Sequence, residues 1–516
     1  MHRFLRILFY LLAILMPVNN LIVQYSTKIL GFSEYFTSWK EVVMFLIMIG
    51  LIYSIIVDFK FIIHKRSTAL FKISSIFKLF WPIIIAISLT LLSVISSFIV
   101  KKTDLKVYSF GYLFELWWLD FFAIVCNWWI VYKQKLEDLN DDELVLASIN
   151  NHKFYRGLSL SVLSGFILVA TISTGSLLFG PEKTLTPFGY GVVSNSSQFI
   201  STTPLCHGVD VSLPECRLMA SFTQPIHFAG YLLFIVAFLA VIIYQNKKIQ
   251  IKFLYVILLL MAIYFIYQSY TRYALLGLAV ILSGSLLHYL VSKNDISLRL
   301  SKILTGLMLL IPLIISVYFI NLDPKLTSSY LPQSLTKEQS TDQHYRHAAN
   351  SFNIVKKSNS ELLFGYGLGA TGSASREKYQ NYETNPIFQK FYSTNNLWLL
   401  NPREFLLTEN WFVSVLLNGG IIYALLYLVI VLTPFFSIHK FFKTHKYKES
   451  LYLDVLLSLG FFGIILGNLF QHLWENQTLT IYWTILWLWG RMLIWQMPKT
   501  KKDKNVSSFK PINKHT

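Results

Sequence analysis

Charged residues are scarce in this chain of 516 residues. Only 14% of the residues are Asp, Glu, Lys or Arg, whereas 54% are hydrophobic, and the mean hydropathy is +0.50. Soluble globular domains carry about a quarter charged residues. The composition therefore excludes an ordinary soluble protein and predicts a polytopic membrane protein.

Acidic residues are particularly few, 27 against 45 basic ones, which gives a formal net charge of +18. The Lys and Arg residues concentrate in alternate connections between apolar runs, such as KFIIHKRSTALFK, QNKKIQIK and SKNDISLRLSK. Cytoplasmic loops of membrane proteins have this bias and lie beside anionic lipid. Both termini are therefore predicted to be cytoplasmic, and the charge requires no nucleic acid as a partner. Lys101 and Lys102, on a predicted outer loop, are exceptions.

Cysteine is rarer still. Cys126 lies in an apolar run, while Cys206 and Cys216 lie in CHGVDVSLPEC, in a predicted outer segment. An oxidising exterior favours a disulfide between these two, and two free thiols are the alternative. Neither arrangement has metal-ligand spacing, and no metal is expected.

Long apolar runs, by contrast, are abundant. A helix needs about 20 apolar residues to cross the hydrocarbon core, and about twelve runs come near that length. We therefore expect an all-α protein with about 12 transmembrane helices and a large extracytoplasmic loop. Arg3 and Arg6 precede the first run, but no small-residue cleavage site follows, which favours a retained span over a secretory signal. The runs are 4–25, 40–59, 79–100, 110–132, 158–179, 225–244, 253–268, 273–291, 303–321, 410–436, 451–471 and 478–497.

The runs divide the chain into five regions. The loop is the longest stretch predicted to lie outside the membrane, so it is the natural place for chemistry. The regions are N-terminal transmembrane helices at 1–156, central helices with an outer loop 180–224 at 157–321, the extracytoplasmic loop at 322–409, C-terminal helices at 410–497 and a basic cytoplasmic tail at 498–516.

The large loop contains a predicted amphipathic helix followed by a glycine run. STDQ at 340–343 has the pattern of a capping box, and Arg346 and Asn350 share one polar face of the helix that follows. Gly365, Gly367 and Gly369 come next. A dinucleotide-binding loop requires a strand before the glycines and a helix after them, and this context is missing. The run is therefore predicted to be a turn that lets the chain double back over the helix.

Three arginines are predicted to lie outside the membrane and close to it: Arg217 in CRLMASFTQPIHFAG, Arg272 in QSYTRYALLG and Arg346 on the amphipathic helix. A guanidinium presents a planar fork of donors that fits phosphate oxygens. For any single arginine, contact with lipid headgroups is the simpler explanation. Arg272 is the most informative of the three because a short turn fixes its position.

If the arginines bind a phosphate leaving group, transfer of the attached group to a hydroxyl also needs a proton acceptor. Glu409 begins the tenth run in LTENWFVSVLLNGG, where a low dielectric suits a general base, and an ordinary acidic helix cap is the alternative. His344 and His347 are further outer titratable groups, although a lone histidine is more often structural. Glu115 and Asp120, inside the fourth run, are predicted to be paired structurally, with a proton or substrate path as the alternative.

Four segments, taken together, resemble the bacterial O-antigen ligase and polysaccharide polymerase superfamily. CRLMASFTQPIHFAG resembles the family's Arg, Phe and Pro-Asn before a span, and QSYTRYALLGLAV resembles its Ser-x-Arg-x-x-x-Leu start. RHAANSFNIVKKSNSELLFGYGLG resembles its Arg followed by a Gly-x-Gly segment, and TENWFVSVLLNGGIIYALLYLVIVL resembles its His-Asn or Glu-Asn head with Gly-x-x-Gly. The likeness covers roughly the C-terminal two thirds of the chain.

The resemblance implies a membrane glycosyltransferase that acts on polyprenyl-diphosphate-linked glycans at the outer face of the cytoplasmic membrane, without a cofactor. It also implies that Arg217, Arg272 and Arg346 bind the donor diphosphate, while Glu409 or a histidine of the 344–347 cluster deprotonates the acceptor. The predicted catalytic residues are Glu409, Arg272, Arg346 and His347, and the predicted substrate-binding residues are Arg217, His344, Asn350 and Asn410.

The chain departs from the family pattern at two places. Gln224-Pro225-Ile226-His227 lacks the asparagine after proline, and Glu409 stands where ligases have histidine. The second departure favours a polymerase over a ligase that transfers glycan to lipid A-core. A polysaccharide or lipid flippase is the alternative from another class. The expected partners are the lipid-linked glycan, a glycan or lipid A-core acceptor, a chain-length regulator and membrane lipid.

Overall fold

The computed structural model describes most of the predicted helices and parts of the outer segments. The description covers residues 3–32, 37–66, 73–100, 105–191, 205, 207–208, 216–293, 303, 359–371, 410–443, 449–469 and 473–496.

The described residues are almost entirely helical. One two-residue antiparallel ladder, β1 (His207–Gly208) with β2 (Cys216–Arg217), is the exception among them. The α-helices are α1 (Arg3–Leu15), α2 (Asn19–Gln24), α3 (Trp39–Arg66), α4 (Ile73–Val94), α5 (Leu105–Gly111), α6 (Trp117–Glu137), α7 (Asp141–Phe179), α8 (Pro181–Leu185), α9 (Pro225–Gln245), α10 (Ile249–Gln268), α11 (Arg272–Lys293), α12 (Asn359–Phe364), α13 (Trp411–Val431), α14 (Phe436–Lys443), α15 (Glu449–Asn468) and α16 (Gln477–Gln496).

Within these ranges, nine helical stretches are long and apolar enough to cross a membrane. Each matches one of the predicted runs, so the all-α membrane architecture is confirmed. The predicted run 273–291 lies in α11, whose apolar part Arg272–Leu286 is shorter, and 478–497 lies in α16, which is rich in Trp and Thr. The predicted run 303–321 lies outside the described residues except for position 303, so the count of about 12 spans stays a prediction.

Helix α7 differs most from its predicted bounds. It begins at Asp141, well before the predicted run at 158, and extends over 39 residues. A capping box fixes this start: the Asn140 side chain accepts from the Glu143 amide at 3.2 Å, and the Glu143 carboxylate accepts from the Asn140 amide at 3.3 Å. A hydropathy scan cannot detect such a polar helix start. At 1.5 Å per residue the helix is about 58 Å long and exceeds the hydrocarbon core.

Helices α6, α9, α15 and α16 form the centre of the bundle. Helix α9 is apolar on every side and is buried along nearly its whole length, as expected for a helix surrounded by others. It packs against α10, α11, α15 and α16. Helices α11 and α15 approach closely at Gly277, where a Cβ would lie 3.1 Å from the Gly463 Cα. Small residues permit this close packing in lipid.

The glycine run enters the bundle as a buried loop. Gly365, Gly367 and Gly369 all have positive φ, of 65°, 93° and 82°. This left-handed backbone favours glycine. The predicted doubling back over the amphipathic helix stays a prediction, because residues 340–358 lie outside the described residues. The loop packs where α13 is broken at Gly420, whose φ is 79° and ψ is −178°. Gly420 lies nine residues after Trp411, about 13 Å along the helix.

Backbone groups of the loop are satisfied by the surrounding helices. The Tyr366 amide donates to the Leu417 carbonyl at 2.7 Å, and the Gly367 amide donates to the Asn418 carbonyl at 3.0 Å. The Leu368 amide donates to Ser97 Oγ at 2.8 Å. In a setting with little water, each such donor needs a protein partner. The break in α13 therefore supplies carbonyls to the loop that an unbroken helix would use itself.

A buried polar cluster supports the loop from beneath. The Thr371 amide donates to Asn418 Oδ1 at 3.0 Å, and the Thr371 and Ser414 hydroxyls are hydrogen-bonded at 2.6 Å. Asn418 Nδ2 donates to the Glu115 carboxylate. Glu115 lies in a π-helical turn, Tyr112–Leu116, and Tyr112 donates to Asp120. Both acidic residues of this span thus have structural partners.

We expect Gly420→Ala to destabilise the protein more than Gly180→Ala. Both glycines have φ near +80° with extended ψ, a conformation that costs other residues about 1–3 kcal/mol. A Cβ at Gly420 would lie 2.1 Å from the Leu363 carbonyl oxygen, whereas nothing lies within 4 Å at Gly180. The Gly180 variant therefore bears the backbone strain alone. Thermal unfolding in detergent measures the difference, and equal melting temperatures would contradict the tight loop packing.

Candidate functional site

Arg217 holds the turn between α10 and α11. Its Nε donates to the Ser269 carbonyl at 3.0 Å, and its Nη2 donates to the Tyr270 carbonyl at 3.3 Å and to Thr271 Oγ1 at 3.2 Å. The next residue, Leu218, adds a backbone hydrogen bond from its amide to the Gln268 carbonyl at 3.1 Å. The segment before α9 is thereby fixed against the turn before α11.

This corner contains both non-glycine residues with positive φ in the described parts of the chain. Ala220 has a φ of 47° and Tyr270 has a φ of 48°. Residues with a Cβ rarely adopt this conformation, and it persists only where surrounding contacts impose it. Here the imposed contacts include the hydrogen bonds from Arg217. Such strain occurs often at binding and catalytic sites.

Arg272 is the first residue of α11 and is exposed. The residues on either side of it are buried: Thr271 is hydrogen-bonded to Arg217, and the Tyr273 hydroxyl donates to the Ile226 carbonyl at 2.5 Å. Two of the three predicted arginines therefore lie at one corner of the bundle, and anchored neighbours fix the backbone of Arg272.

The electrostatics of the corner favour an anion. Partial burial lowers the pKa of Arg217 from its ordinary value, and the positive charge of nearby Arg272 lowers it further. The guanidinium remains protonated, because its ordinary pKa is far above neutrality. Among the described residues Arg217 has no acidic partner, since its three side-chain hydrogen bonds go to neutral oxygens. Two neighbouring cations, one of them exposed, attract phosphate or carboxylate.

Asn410 lies at the same end of the bundle. Its side chain caps α13 by accepting from the Val413 amide at 3.1 Å, and its Nδ2 donates to the Leu469 carbonyl at 2.9 Å. Leu469 comes two residues after Gly467, where a Cβ would lie 2.7 Å from the Tyr273 ring. Asn410 is thus joined to the corner of Arg217 and Arg272 through the end of α15.

The remaining predicted site residues lie outside the described residues. Their predicted roles and the predicted Cys206–Cys216 disulfide stay predictions. They are His344, Arg346, His347, Asn350, Glu409 and Cys206. Cys216 itself pairs with Gly208 in the short ladder, which brings the chain just after Cys206 against Cys216.

Sequence analysis missed the aromatic surroundings of Arg272. Tyr264 and Tyr267 are about half exposed on the last turns of α10, and Tyr270 lies in the strained turn. The tyrosine spacing in YFIYQSYTRY is visible in the sequence, but an apolar helix end of this kind also fits the aromatic belt of any membrane protein. In the described part of the chain no group of three His, Cys, Asp or Glu residues is placed to hold a metal ion.

We expect Arg217→Lys to lower the melting temperature of the protein in detergent, whereas Arg272→Lys should leave it nearly unchanged. Lysine keeps the charge at 217 but cannot reproduce a planar fork that reaches three oxygens. Hydrogen bonds from a charged group contribute about 1.5–3 kcal/mol each. Arg272 is exposed, so it serves as the matched control. Equal melting temperatures of the two variants would show that Arg217 does not hold the turn.

The predicted disulfide has a direct chemical test. Alkylation of the unreduced, denatured protein should modify Cys126 alone, and alkylation after reduction should modify Cys126, Cys206 and Cys216. Intact-mass spectrometry distinguishes one modification from three. Three modifications without a reductant, in protein purified from the membrane under air, would show two free thiols instead.

No protein-family model matches the chain, and no curated protein matches it.

Proposed function

We propose that the protein is a membrane glycosyltransferase that joins polyprenyl-diphosphate-linked oligosaccharide units on the outer face of the cytoplasmic membrane, as a polymerase of O-antigen or another surface polysaccharide. One observation carries the proposal: Arg217 and Arg272 lie 55 positions apart in the sequence but meet at one corner of the bundle, with Arg272 exposed. The resemblance of the surrounding segments to the O-antigen ligase and polymerase superfamily supports the same function.

The chemistry follows from the leaving group. An acceptor hydroxyl oxygen attacks the anomeric carbon of the donor sugar, and the bond between that carbon and the diphosphate oxygen breaks. The polyprenyl diphosphate departs with the bonding electrons, and a base takes the hydroxyl proton. Glu409, or a histidine of the 344–347 cluster, is the proposed base. Arg272, together with Arg217 and Arg346, stabilises the negative charge that develops on the diphosphate.

A ligase is the nearest alternative, with the same chemistry and a different acceptor. Surface polysaccharide from a strain that lacks the gene separates the two on a gel. One repeat unit per lipid anchor indicates that a polymerase was lost. Absence of attached polymer, with carrier-linked chains accumulating, indicates that a ligase was lost.

A flippase is the alternative from another class, and one observation favours it. Helix α13 is broken at Gly420 beside a buried loop, and transporters use broken helices at their binding sites. The described partners of this break are backbone amides of the loop and the Asn418 network, which accounts for the broken helix structurally. Loss of a flippase leaves carrier-linked units at the cytoplasmic face, where a membrane-impermeant glycan-modifying reagent cannot reach them in intact spheroplasts.

We expect Arg272→Ala and Arg346→Ala each to abolish long-chain polymer while the protein remains in the membrane at wild-type amount. Loss of a guanidinium removes transition-state charge stabilisation of the kind that contributes about 10²–10³ in rate. Lys183→Ala, which removes another exposed cation from the outer segment, is the control and should keep normal chain length. Gel analysis of the surface polysaccharide measures the outcome, and normal chains in both arginine variants would refute the proposal.

A further inference from the structure

Three tyrosines precede Arg272 closely in the chain. Tyr264 and Tyr267 lie on the last turns of α10, and Tyr270 lies two residues before Arg272. Tyr264 and Tyr267 are 50% and 48% exposed. Both tyrosines are therefore exposed near the end of α10, and Arg272 is exposed at the start of α11. Gln268 adds a polar group beside these rings, and its Nε2 donates to the Tyr264 hydroxyl at 3.1 Å.

The rings of Tyr267 and Tyr270 lie beside each other at an angle. Their centroids are 6.1 Å apart and their planes are inclined at 55°. An aromatic face carries partial negative charge and attracts the positive edge of a neighbouring group. The C–H face of a pyranose ring is such a group, and its hydroxyls can bond to a phenol or a side-chain amide at the rim. The two tyrosine rings thus have the chemistry of a sugar-binding surface.

The backbone of Tyr270 provides an independent observation. Its φ of 48° is disfavoured for any residue with a Cβ and is especially rare for a bulky one. Glycine would adopt this turn without strain. Arg217 stabilises the conformation through its hydrogen bonds to the Ser269 and Tyr270 carbonyls. An aromatic belt accounts for exposed tyrosines at the end of a helix, but it does not account for a tyrosine in a strained turn.

We propose that Tyr270, with Tyr267 beside it, stacks against the sugar ring next to the diphosphate of the lipid-linked donor, while Arg272 binds that diphosphate. This proposal rests on the proposed function and adds the surface that binds the glycan. Tyr270 directly precedes the Thr271–Arg272 pair, so a sugar attached to a diphosphate at Arg272 lies within reach of its ring.

The decisive comparison is between Tyr270→Phe and Tyr270→Leu. Both keep a Cβ and an apolar side chain in the turn, but only phenylalanine keeps the aromatic face. We expect the Phe variant to polymerise at close to the wild-type rate and the Leu variant about tenfold more slowly, which corresponds to about 1.4 kcal/mol at 25 °C. The substrate is the carrier-linked repeat unit extracted from the deletion strain, and product length is measured on a gel over time.

A strain control and a binding control accompany this comparison. Ala220→Gly relieves the other left-handed residue of the corner and should leave the polymerisation rate unchanged. Farnesyl diphosphate, an isoprenoid diphosphate without a sugar, should bind the wild-type protein and Tyr270→Leu with equal affinity by titration calorimetry. Weaker binding to the Leu variant would show that the ring positions the arginines and would contradict sugar stacking.

The outcomes separate this proposal from the proposed function. If Tyr270→Phe and Tyr270→Leu polymerise equally fast while Arg272→Ala abolishes polymer, the stacking proposal is wrong and the glycosyltransferase proposal stands. If Arg272→Ala and Arg346→Ala also both make normal polymer, both proposals are wrong. A lower rate in the Leu variant alone, with unchanged farnesyl diphosphate binding, supports the stack.

Discussion

The hydrogen bonds of Arg217 are the interaction on which the corner before α9 and α11 depends. They join residues 52 to 54 positions apart and reach three oxygens of one turn. That turn contains a tyrosine in a left-handed conformation, which the local sequence does not favour. The guanidinium supplies donors in a fixed plane, and its hydrogen bonds stabilise the turn where the backbone is strained. These hydrogen bonds therefore help to fix the backbone positions of Tyr270 and Arg272.

Arg217 therefore has two properties that the sequence alone does not connect. Arg217 contributes positive charge to the site, and it also holds the structure that places Arg272. A membrane-boundary arginine that only contacts lipid headgroups would point its fork away from the protein. Here Nε and Nη2 are directed at protein oxygens, which leaves less of the guanidinium for a ligand. Arg272, exposed and adjacent, is the better candidate for direct contact with a diphosphate.

The sequence predicted most of the spans because hydrophobicity is a local property. The runs that became α9 and α10 are apolar along their whole length, and any window of about 20 residues detects them. The hydropathy scan missed the start of α7, because that helix begins in a polar segment with a capping box at Asn140 and Glu143. The exposure of Tyr267 depends on packing between distant helices, which no window of sequence contains.

The candidate site was less predictable from the sequence than the spans. The predicted orientation of the spans put Arg217 and Arg272 near the same face of the membrane, and the resemblance to a glycosyltransferase family assigned them to one site. The glycine run illustrates the opposite case: its turn conformation was predictable from the missing strand and the three glycines. Its burial was not, since the amide acceptors on Leu417, Asn418 and Ser97 belong to distant segments.

The position of Asn410 bears on the identity of the base. Asn410 is bonded to the end of α15, close to where Tyr273 packs against Gly467, and Tyr273 directly follows Arg272. Glu409, the proposed base, directly precedes Asn410 in the sequence. Under the proposed mechanism, this direct link to an anchored residue favours Glu409 over the histidines of the 344–347 cluster as the base.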